Sequence, residues 1–249
     1  MTTSPRAPTI GTLRIYDDVT ALAQGAAGLL CDLAVASSGP FVVALSGGST
    51  PKPVYQALAS DAWRGRVPWG RVHWVIGDER FVPVANPASN IGMIRAAMLD
   101  SAPVPPANIH AIPTENTTPE QAALDHEAAL RRLRKPDGTL FDLTFLGMGD
   151  DGHTASLLPG EPVLEERSRL VAPVPHGRDT VRITLTYPAL NASDLLAFLV
   201  AGAGKRAMLN SILSGGSTAP AAAVRPKGAI VWLVDSTAAG DWQAASQAV

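Results

Sequence analysis

The chain is poor in cysteine, in aromatic residues and in charge. Of its 249 residues one is cysteine, 5% are aromatic and 17% are charged, and the formal net charge is -2. A single cysteine, Cys31, excludes an internal disulfide and any metal site built from several cysteines. The chain also lacks the strongly basic composition that is typical of proteins that bind nucleic acids or anionic membranes. We therefore expect no nucleic-acid partner and no membrane partner, although a few local cations suffice for a small anionic ligand.

Long uncharged apolar runs are missing as well. No segment reaches the ~18–20 uncharged apolar residues of a membrane span. The N-terminal segment, MTTSPRAPTIGTLRIYDD, has no apolar run after its early arginine, unlike a secretory signal peptide. These absences predict a cytoplasmic protein. The apolar fraction, 46%, is that of a globular protein and excludes a disordered chain.

Strand-like and helix-like patterns alternate along the chain. Short apolar runs of strand length occupy 41–45, 72–76, 142–146, 181–185, 195–200 and 230–234. Helix-like patterns occupy 17–36, the residues after Pro51, 89–99 and 118–134. This alternation predicts an α/β fold with a largely parallel sheet that is covered on both faces. No low-complexity linker divides the chain, so we predict a single domain over 1–249 with its core at about 10–240.

A glycine-rich loop, Ser46-Gly47-Gly48-Ser49-Thr50, follows the first of these apolar strands. Its two glycines let backbone N–H groups approach an anion, and the next helix adds its positive end. The motif is neither a Walker loop nor G-x-G-x-x-G, and a plain tight turn explains it as well as an anion site does. The same pentapeptide recurs at 214–218 after a helix-like segment, where we interpret its glycines as a helix terminus.

Two other strand ends carry charged residues. The run Asp78 to Arg80 follows the second strand, and by itself it is also typical of a solvated turn. The segment 149–154 follows the third strand and contains His153 between a glycine turn and an apolar stretch. An imidazole there can reach a ligand and act as a general base at neutral pH. Asp151, two positions earlier, can orient it.

The remaining candidates are four histidines and two cations. Core or surface roles are expected for the histidines outside glycine-bounded strand ends, which are His73, His110, His126 and His176. The H-E-x-x-H motif does not occur, and no cluster of His and Cys residues has the spacing of metal ligands. We therefore predict no metal site. Arg182 opens an alternating strand, and Lys205 follows a strand end. Each alone is typical of a surface charge, but together with the glycine-rich loop they would form a phosphate site.

Five segments, in this order, make the chain resemble the 6-phosphogluconolactonases, which are related to glucosamine-6-phosphate isomerases. The segments are 45–58, 72–99, 141–160, 182–209 and 220–235. The motifs GDERFVP and GDDGHTAS are the most specific part of this resemblance. It implies a Rossmann-like sheet with helices on both sides, similar to the sugar-phosphate isomerases, and no cofactor. One departure is Asp150, where that family usually has proline.

The resemblance also implies an activity, hydrolysis of 6-phospho-D-glucono-1,5-lactone in the oxidative pentose phosphate pathway. His153 would be the general acid/base that activates water, and Asp151 would orient it. Arg80, held by Asp78, would stabilise charge on the carbonyl oxygen. The substrate phosphate would be bound by Arg182, Lys205, Gly47, Gly48, Ser49 and Thr50. We expect a small sugar-phosphate lactone as partner and a monomer or weak homo-oligomer.

Three other functions are alternatives to lactone hydrolysis. A glucosamine-6-phosphate deaminase has its ring-opening glutamate five residues after the histidine, where this chain has Leu158. A sugar-phosphate-binding module without catalysis would not need His153. A nucleotide-binding dehydrogenase fails on the glycine pattern and on the missing acidic residue that binds ribose. The lactonase interpretation therefore fits the motifs best.

Overall fold

The computed structural model describes residues 8–245, of which 243–245 are described by their backbone alone. Its strands are β1 (Thr12–Tyr16), β2 (Phe41–Leu45), β3 (Val72–Ile76), β4 (Asp78–Arg80), β5 (Ile109–His110), β6 (Phe141–Gly147), β7 (Val171–Val174), β8 (Arg182–Leu185), β9 (Ser193–Val200) and β10 (Ala229–Asp235). Its α-helices are α1 (Val19–Ala36), α2 (Lys52–Ala59), α3 (Asp61–Arg64), α4 (Asn90–Ile94), α5 (Pro119–Leu133), α6 (Tyr187–Leu190), α7 (Arg206–Leu213), α8 (Pro220–Ala223) and α9 (Ser236–Ala239). One π-helical turn, Arg95–Leu99, continues α4.

The central sheet has seven strands in the order β1-β10-β9-β6-β2-β3-β5, and every neighbouring pair is parallel. All five residues of β2 are buried, so both faces of this strand are covered. Continuous apolar runs are typical of such strands because neither face meets water. The predicted α/β class with a largely parallel sheet is confirmed, and the strands predicted at 41–45 and 72–76 have the predicted bounds.

A second sheet of three antiparallel strands, β4-β8-β7, corrects two of the sequence interpretations. The segment 181–185 belongs to this sheet rather than to the parallel one. The charged run after β3 is not a solvated turn, because Asp78 is 5% exposed and Glu79 is fully buried in β4. Hydrogen bonds from neighbouring loops satisfy these carboxylates, which local sequence does not reveal.

Helix α1 begins at an N-cap and packs its alanine-rich face into the core. The Asp18 carboxylate accepts a hydrogen bond from the backbone N–H of Ala21 at 2.8 Å, which satisfies a free donor of the first turn. Cys31 is 1% exposed, as the sequence predicts, and its burial raises the pKa of the thiol.

Helix α1 also has the length and composition of a membrane-spanning helix, with a mean hydropathy of 1.6. The core helix of a soluble protein passes the same test, so this is weak evidence for a membrane span.

The second copy of the repeated pentapeptide ends α7, as the sequence predicts. Gly215 has φ +76°, a left-handed conformation that glycine adopts readily. Its N–H donates to the carbonyl of Ile212, and the N–H of Gly216 donates to that of Ser211, both at 2.9 Å. These bonds satisfy carbonyls of the last helical turn.

Parts of two predictions lie outside the described residues. The single-domain prediction covers 1–249, and residues 1–7 and 246–249 are not described. The same residues 1–7 belong to the segment from which the absence of a signal peptide was predicted. The domain count and the localisation therefore stay predictions. The oligomeric state stays a prediction as well, because the structure describes one chain.

Candidate active site

A cleft of about 190 Å³ lies at the carboxyl ends of β2, β6 and β9, beside the second sheet. Crevices at this edge of an α/β sheet are where such folds bind ligands. The structure brings nearly all of the predicted site residues to its wall, namely Gly47, Gly48, Ser49, Thr50, Asp78, Arg80, His153, Arg182 and Lys205. Asp151 does not line the cleft, but it contacts His153. Residues from five separate segments of the chain therefore meet in one place.

His153 and Asp151 form a hydrogen-bonded pair. Nδ1 of His153 lies 2.6 Å from Oδ1 of Asp151, and the same oxygen accepts the backbone N–H of His153 at 3.1 Å. Partial burial raises the pKa of Asp151, but the hydrogen bonds from His153 and the charge of Arg178 outweigh it and lower that pKa to about 2. The ionised carboxylate fixes Nδ1 as a donor, which leaves Nε2 of the imidazole as the acceptor.

A tight glycine turn brings the histidine to this position. The N–H of Gly149 donates to the carbonyl of His153 at 2.8 Å, and Gly152 adopts φ +78°. A Cβ on Gly149 would lie 2.0 Å from Nδ1 of His153, so a side chain there would displace the imidazole. Glycine is required at position 149 because the imidazole of His153 lies too close to leave room for a side chain.

Arg178 is a third member of this group, and our sequence analysis missed it. Its guanidinium forms an ion pair with Oδ2 of Asp151 and lies 3.2 Å from Nδ1 of His153. The residue is in the loop between β7 and β8, 25 positions after His153. No local motif marks it, because only the tertiary fold places that loop beside the Asp–His pair.

The first glycine-rich loop has the features of an anion site. Within the described residues, the backbone N–H groups of 47–50 donate no hydrogen bond, and Gly48 and Ser49 are exposed. Gly48 has φ +102°, which glycine adopts without strain. Tyr55, fully buried in α2, anchors the loop by donating its hydroxyl to the carbonyl of Ser46 at 2.6 Å. Free N–H groups held in a fixed loop can bind an oxyanion.

Glu79 has a structural role beside the cleft. Its carboxylate accepts the N–H groups of Asn90 and Ile91 at 2.6 and 2.8 Å, and so caps the start of α4. Burial raises its pKa, although these backbone hydrogen bonds act in the opposite direction. The bonds fix the position of α4 against β4, and with it the position of Asn90.

Asn90, which the sequence analysis also missed, takes the role that we predicted for Asp78. Its Oδ1 accepts a hydrogen bond from Nη1 of Arg80 at 2.9 Å, and its Nδ2 donates to the carbonyl of Asp78 at 2.8 Å. The Asp78 carboxylate instead accepts the Ser156 hydroxyl at 2.7 Å. Within the described residues Asp78 forms no ion pair with Arg80, so the prediction that it holds the guanidinium is wrong. The guanidinium of Arg80 also donates to the carbonyl of Ala88 at 2.8 Å, so its hydrogen bonds go to the segment around Asn90.

Arg182 is a buried cation that faces the cleft. It is 8% exposed, and within the described residues its guanidinium donates no hydrogen bond and forms no ion pair. Burial, then the charge of neighbouring Arg80, lowers its pKa, although the charges of Asp78 and Asp179 act to raise it. Burying an unpaired charge is unfavourable. An anion in the cleft would supply the missing partner.

Lys205 completes the cationic part of the site. It follows β9 in a 3₁₀ turn, Ala203–Lys205, after Gly202 with φ +95°. Its Nζ lies 2.6 Å from Oδ1 of Asp150. Asp150, the position at which the chain departs from the family pattern, is thus paired with this lysine rather than with the imidazole of His153.

A metal site was not expected, and the described part of the chain holds no group of three or more His, Cys, Asp or Glu side chains that could bind a metal ion. His73 and His110 form a pair of their own, with Nδ1 and Nε2 3.0 Å apart. His126 is buried and lies 3.1 Å from the carbonyl of Ile76. These three histidines line no part of the cleft.

The fold and the site define a class of α/β proteins that combine a glycine-rich loop with an Asp–His pair at the carboxyl edge of a parallel sheet. A family model described as glucosamine-6-phosphate isomerases/6-phosphogluconolactonase matches residues 17–232. The 6-phosphogluconolactonase of Nostoc sp. is 38% identical over 239 residues, which cover 92% of this chain and 98% of that protein. The 6-phosphogluconolactonase of Synechocystis sp. is 42% identical over 211 residues, with 82% and 86% covered.

The solved structures agree. A crystal structure of 6-phosphogluconolactonase from Thermotoga maritima has a TM-score of 0.77 and 32% identity, and the match covers 90% of this chain and 98% of that one. The chain belongs to the glucosamine-6-phosphate isomerase/6-phosphogluconolactonase family. The predicted family is therefore confirmed, and with it the prediction of an enzyme of carbohydrate metabolism.

Proposed function

We propose that the protein hydrolyses 6-phospho-D-glucono-1,5-lactone to 6-phosphogluconate, with His153 as the general acid/base. The observation that carries this proposal is the presence, in one cleft, of an oriented imidazole and a buried arginine without a partner among the described residues. His153 has its Nδ1 bound to Asp151, and Arg182 has an unpaired guanidinium. The first is suited to activating water and the second to binding a phosphate.

His153 is proposed to act twice in the reaction. Its Nε2 takes a proton from a water molecule as the water oxygen attacks the lactone carbonyl carbon. When the tetrahedral intermediate collapses, the bond between that carbon and the ring oxygen breaks, and His153 returns the proton to the ring oxygen. Asp151 holds the imidazole in the required tautomer throughout. General acid/base catalysis of this kind contributes about 10²–10⁴ in rate.

Cations of the cleft are proposed to bind both ends of the substrate. Arg80, held by Asn90, would stabilise negative charge on the carbonyl oxygen, since it lines the cleft with His153. Arg182 and Lys205, with the N–H groups of the glycine-rich loop, would bind the phosphate. An arginine and backbone N–H groups together match the geometry of phosphate oxygens.

The test is to generate the lactone in situ with glucose-6-phosphate dehydrogenase and to follow its disappearance with purified protein and EDTA present. We expect turnover above the spontaneous rate, and its loss in His153→Ala. A matched control is His176→Ala, because His176 is exposed and lies outside the cleft. If His153→Ala keeps activity within a few-fold of the wild type, the proposed role of His153 is wrong. If the folded wild type does not accelerate hydrolysis, the proposed reaction is wrong.

The deaminase alternative is tested with the same protein. Leu158, which stands where a ring-opening glutamate is expected in that reaction, is 5% exposed and does not line the cleft. A buried leucine cannot transfer a proton. We therefore expect no ammonia release from glucosamine 6-phosphate.

A further inference from the structure

Asp150 and Lys205 form an ion pair at the rim of the cleft, and neither the general acid/base role of His153 nor the binding of phosphate requires it. Nζ of Lys205 lies 2.6 Å from Oδ1 of Asp150. The lysine side chain is 26% exposed and lines the cleft, whereas the aspartate side chain is 76% exposed and does not line it. The carboxylate thus approaches the ammonium from the solvent side.

The ion pair changes the charge that the cleft presents to a ligand. Within the described residues, the ammonium of Lys205 has no hydrogen-bond or ion-pair partner other than Asp150. Arg182, the other cation proposed for the phosphate, has no partner in that part of the chain. The carboxylate therefore offsets one of the three positive charges that line the cleft, which are those of Arg80, Arg182 and Lys205. An incoming phosphate must either displace the Asp150 carboxylate from Lys205 or bind close to that carboxylate, which has the same sign of charge.

We propose that Asp150 is an internal counter-ion that competes with the substrate phosphate for Lys205 and so sets how tightly phosphate esters bind. The inference rests on the proposed function, because it takes Lys205 as a phosphate ligand. Asp150 acts through Lys205 and touches no reacting atom, so it is a positioning residue that controls affinity. The class of ligand concerned is a dianionic phosphate monoester.

The consequence for the reaction follows from where the phosphate is bound. The phosphate group is remote from the carbonyl carbon, so a contact to it stabilises the bound substrate and the transition state about equally. Such uniform binding changes KM and leaves kcat where it is. Asp150 would therefore raise KM for the lactone and weaken retention of the product, which carries the same phosphate.

The test measures the inhibition constants of inorganic phosphate and of 6-phosphogluconate for Asp150→Asn. We expect both to fall about two- to fivefold, the range that exposed ion pairs contribute, and KM to fall with them. Asp150→Glu, which keeps the charge, is expected to restore the wild-type constants. Raising the ionic strength should narrow the difference between Asp150→Asn and wild type, because salt screens exposed charges.

A matched control is Asp137→Asn, which removes an exposed carboxylate paired with Lys227 at 2.7 Å, outside the cleft. A double-mutant cycle with Lys205→Met then separates the inference from the proposed function. We expect the effect of Asp150→Asn to drop below twofold when Lys205 is absent. If Asp150→Asn matches Asp137→Asn while Lys205→Met weakens phosphate binding, the counter-ion role is wrong and the phosphate site stands. If Lys205→Met also binds phosphate like the wild type, the assignment of Lys205 as a phosphate ligand is wrong.

Discussion

Arg80 and Arg182 are direct partners across the antiparallel pair of β4 and β8. Directly opposed residues point to the same face of a sheet, so both guanidinium groups face the cleft. Like charges in this position destabilise a sheet. The arrangement places two cations side by side in the cleft, and the fold is less stable for it.

Replacing Arg182 with methionine is expected to increase stability while it weakens binding. The change removes a buried, unpaired charge and its repulsion with Arg80, which favours the folded state by about 1 kcal/mol. We expect the Tm to rise by roughly 2–4 °C and the inhibition constant of inorganic phosphate to rise about tenfold or more. Thermal unfolding and inhibition assays measure the two effects. As a control, Arg131→Met removes an arginine that is paired with Glu127, and its Tm should not rise. A fall in the Tm of Arg182→Met would contradict the argument.

Arg178 is expected to support the Asp–His pair from the side of Asp151. Its guanidinium pairs with the carboxylate oxygen that does not bind Nδ1 of His153, and both partners are partly exposed. We expect Arg178→Ala to lower kcat/KM about fivefold, as for other partly exposed pairs. Added guanidinium ion should restore part of the lost rate. The control is Arg167→Ala, which removes an exposed ion pair with Glu165. It should keep the wild-type kcat/KM and should not respond to added guanidinium ion. A full wild-type rate in Arg178→Ala would show that Asp151 needs no such support.

Gly149→Ala tests whether the position of the imidazole matters apart from its chemistry. The added Cβ would lie 2.0 Å from Nδ1 of His153, so the ring must leave Asp151. Because oriented acid/base catalysis is lost, kcat should fall by about 10² or more. Gly70→Ala is the control, since a Cβ there has no neighbour within 4 Å. Steady-state kinetics with a parallel thermal unfolding curve separates loss of geometry from loss of fold, and an active Gly149→Ala would overturn the close-approach argument.

Three of the four histidines outside the cleft, His73, His110 and His126, are expected to make the fold sensitive to acid. Burial lowers the pKa of His73 and His110, and the proximity of His73 lowers that of His110 further. Burial lowers the pKa of His126 to about 4, against hydrogen bonds to backbone carbonyls that act to raise it. Because these folded-state values lie below the unfolded value, the unfolded chain binds more protons in acid. Stability is therefore complete above pH 6.5 and is lost as the pH falls from there toward about 4.

Urea unfolding between pH 8 and pH 5 measures this loss. His126, which is buried, should contribute a slope of up to about 1.4 kcal/mol per pH unit. His126→Gln is expected to flatten the slope. His176→Gln should leave it unchanged, because that side chain is exposed. A wild-type free energy of unfolding that does not depend on pH in this range would show that folding does not change the pKa values of the three histidines.

Five of the seven strands of the central sheet and the motifs at their ends could be predicted from sequence because both are local patterns, whereas β1 and β5 were not predicted. β2 and β3 are apolar runs of strand length, and such a run is typical of a strand that packs against helices on both faces. Glycine next to hydroxyl or histidine residues marks a strand end in the same way. In the second sheet β8 gave such a signal, within the run 181–185, but β4 did not, because it is three charged residues long and its burial depends on partners far away in the chain.

The site shows the same division between local pattern and tertiary contact. The sequence by itself determined which residues collect at the strand ends, since parallel strands bring their carboxyl ends to one edge and motifs there must converge. Only the tertiary structure decided what each side chain contacts. Asn90 rather than Asp78 holds Arg80, Arg178 reaches Asp151 from a loop without a motif, and Asp150 pairs with Lys205. Such contacts join residues 10, 27 and 55 positions apart, and a hydrogen bond or ion pair over that separation is set by how the chain packs, which no pattern of neighbouring residues encodes.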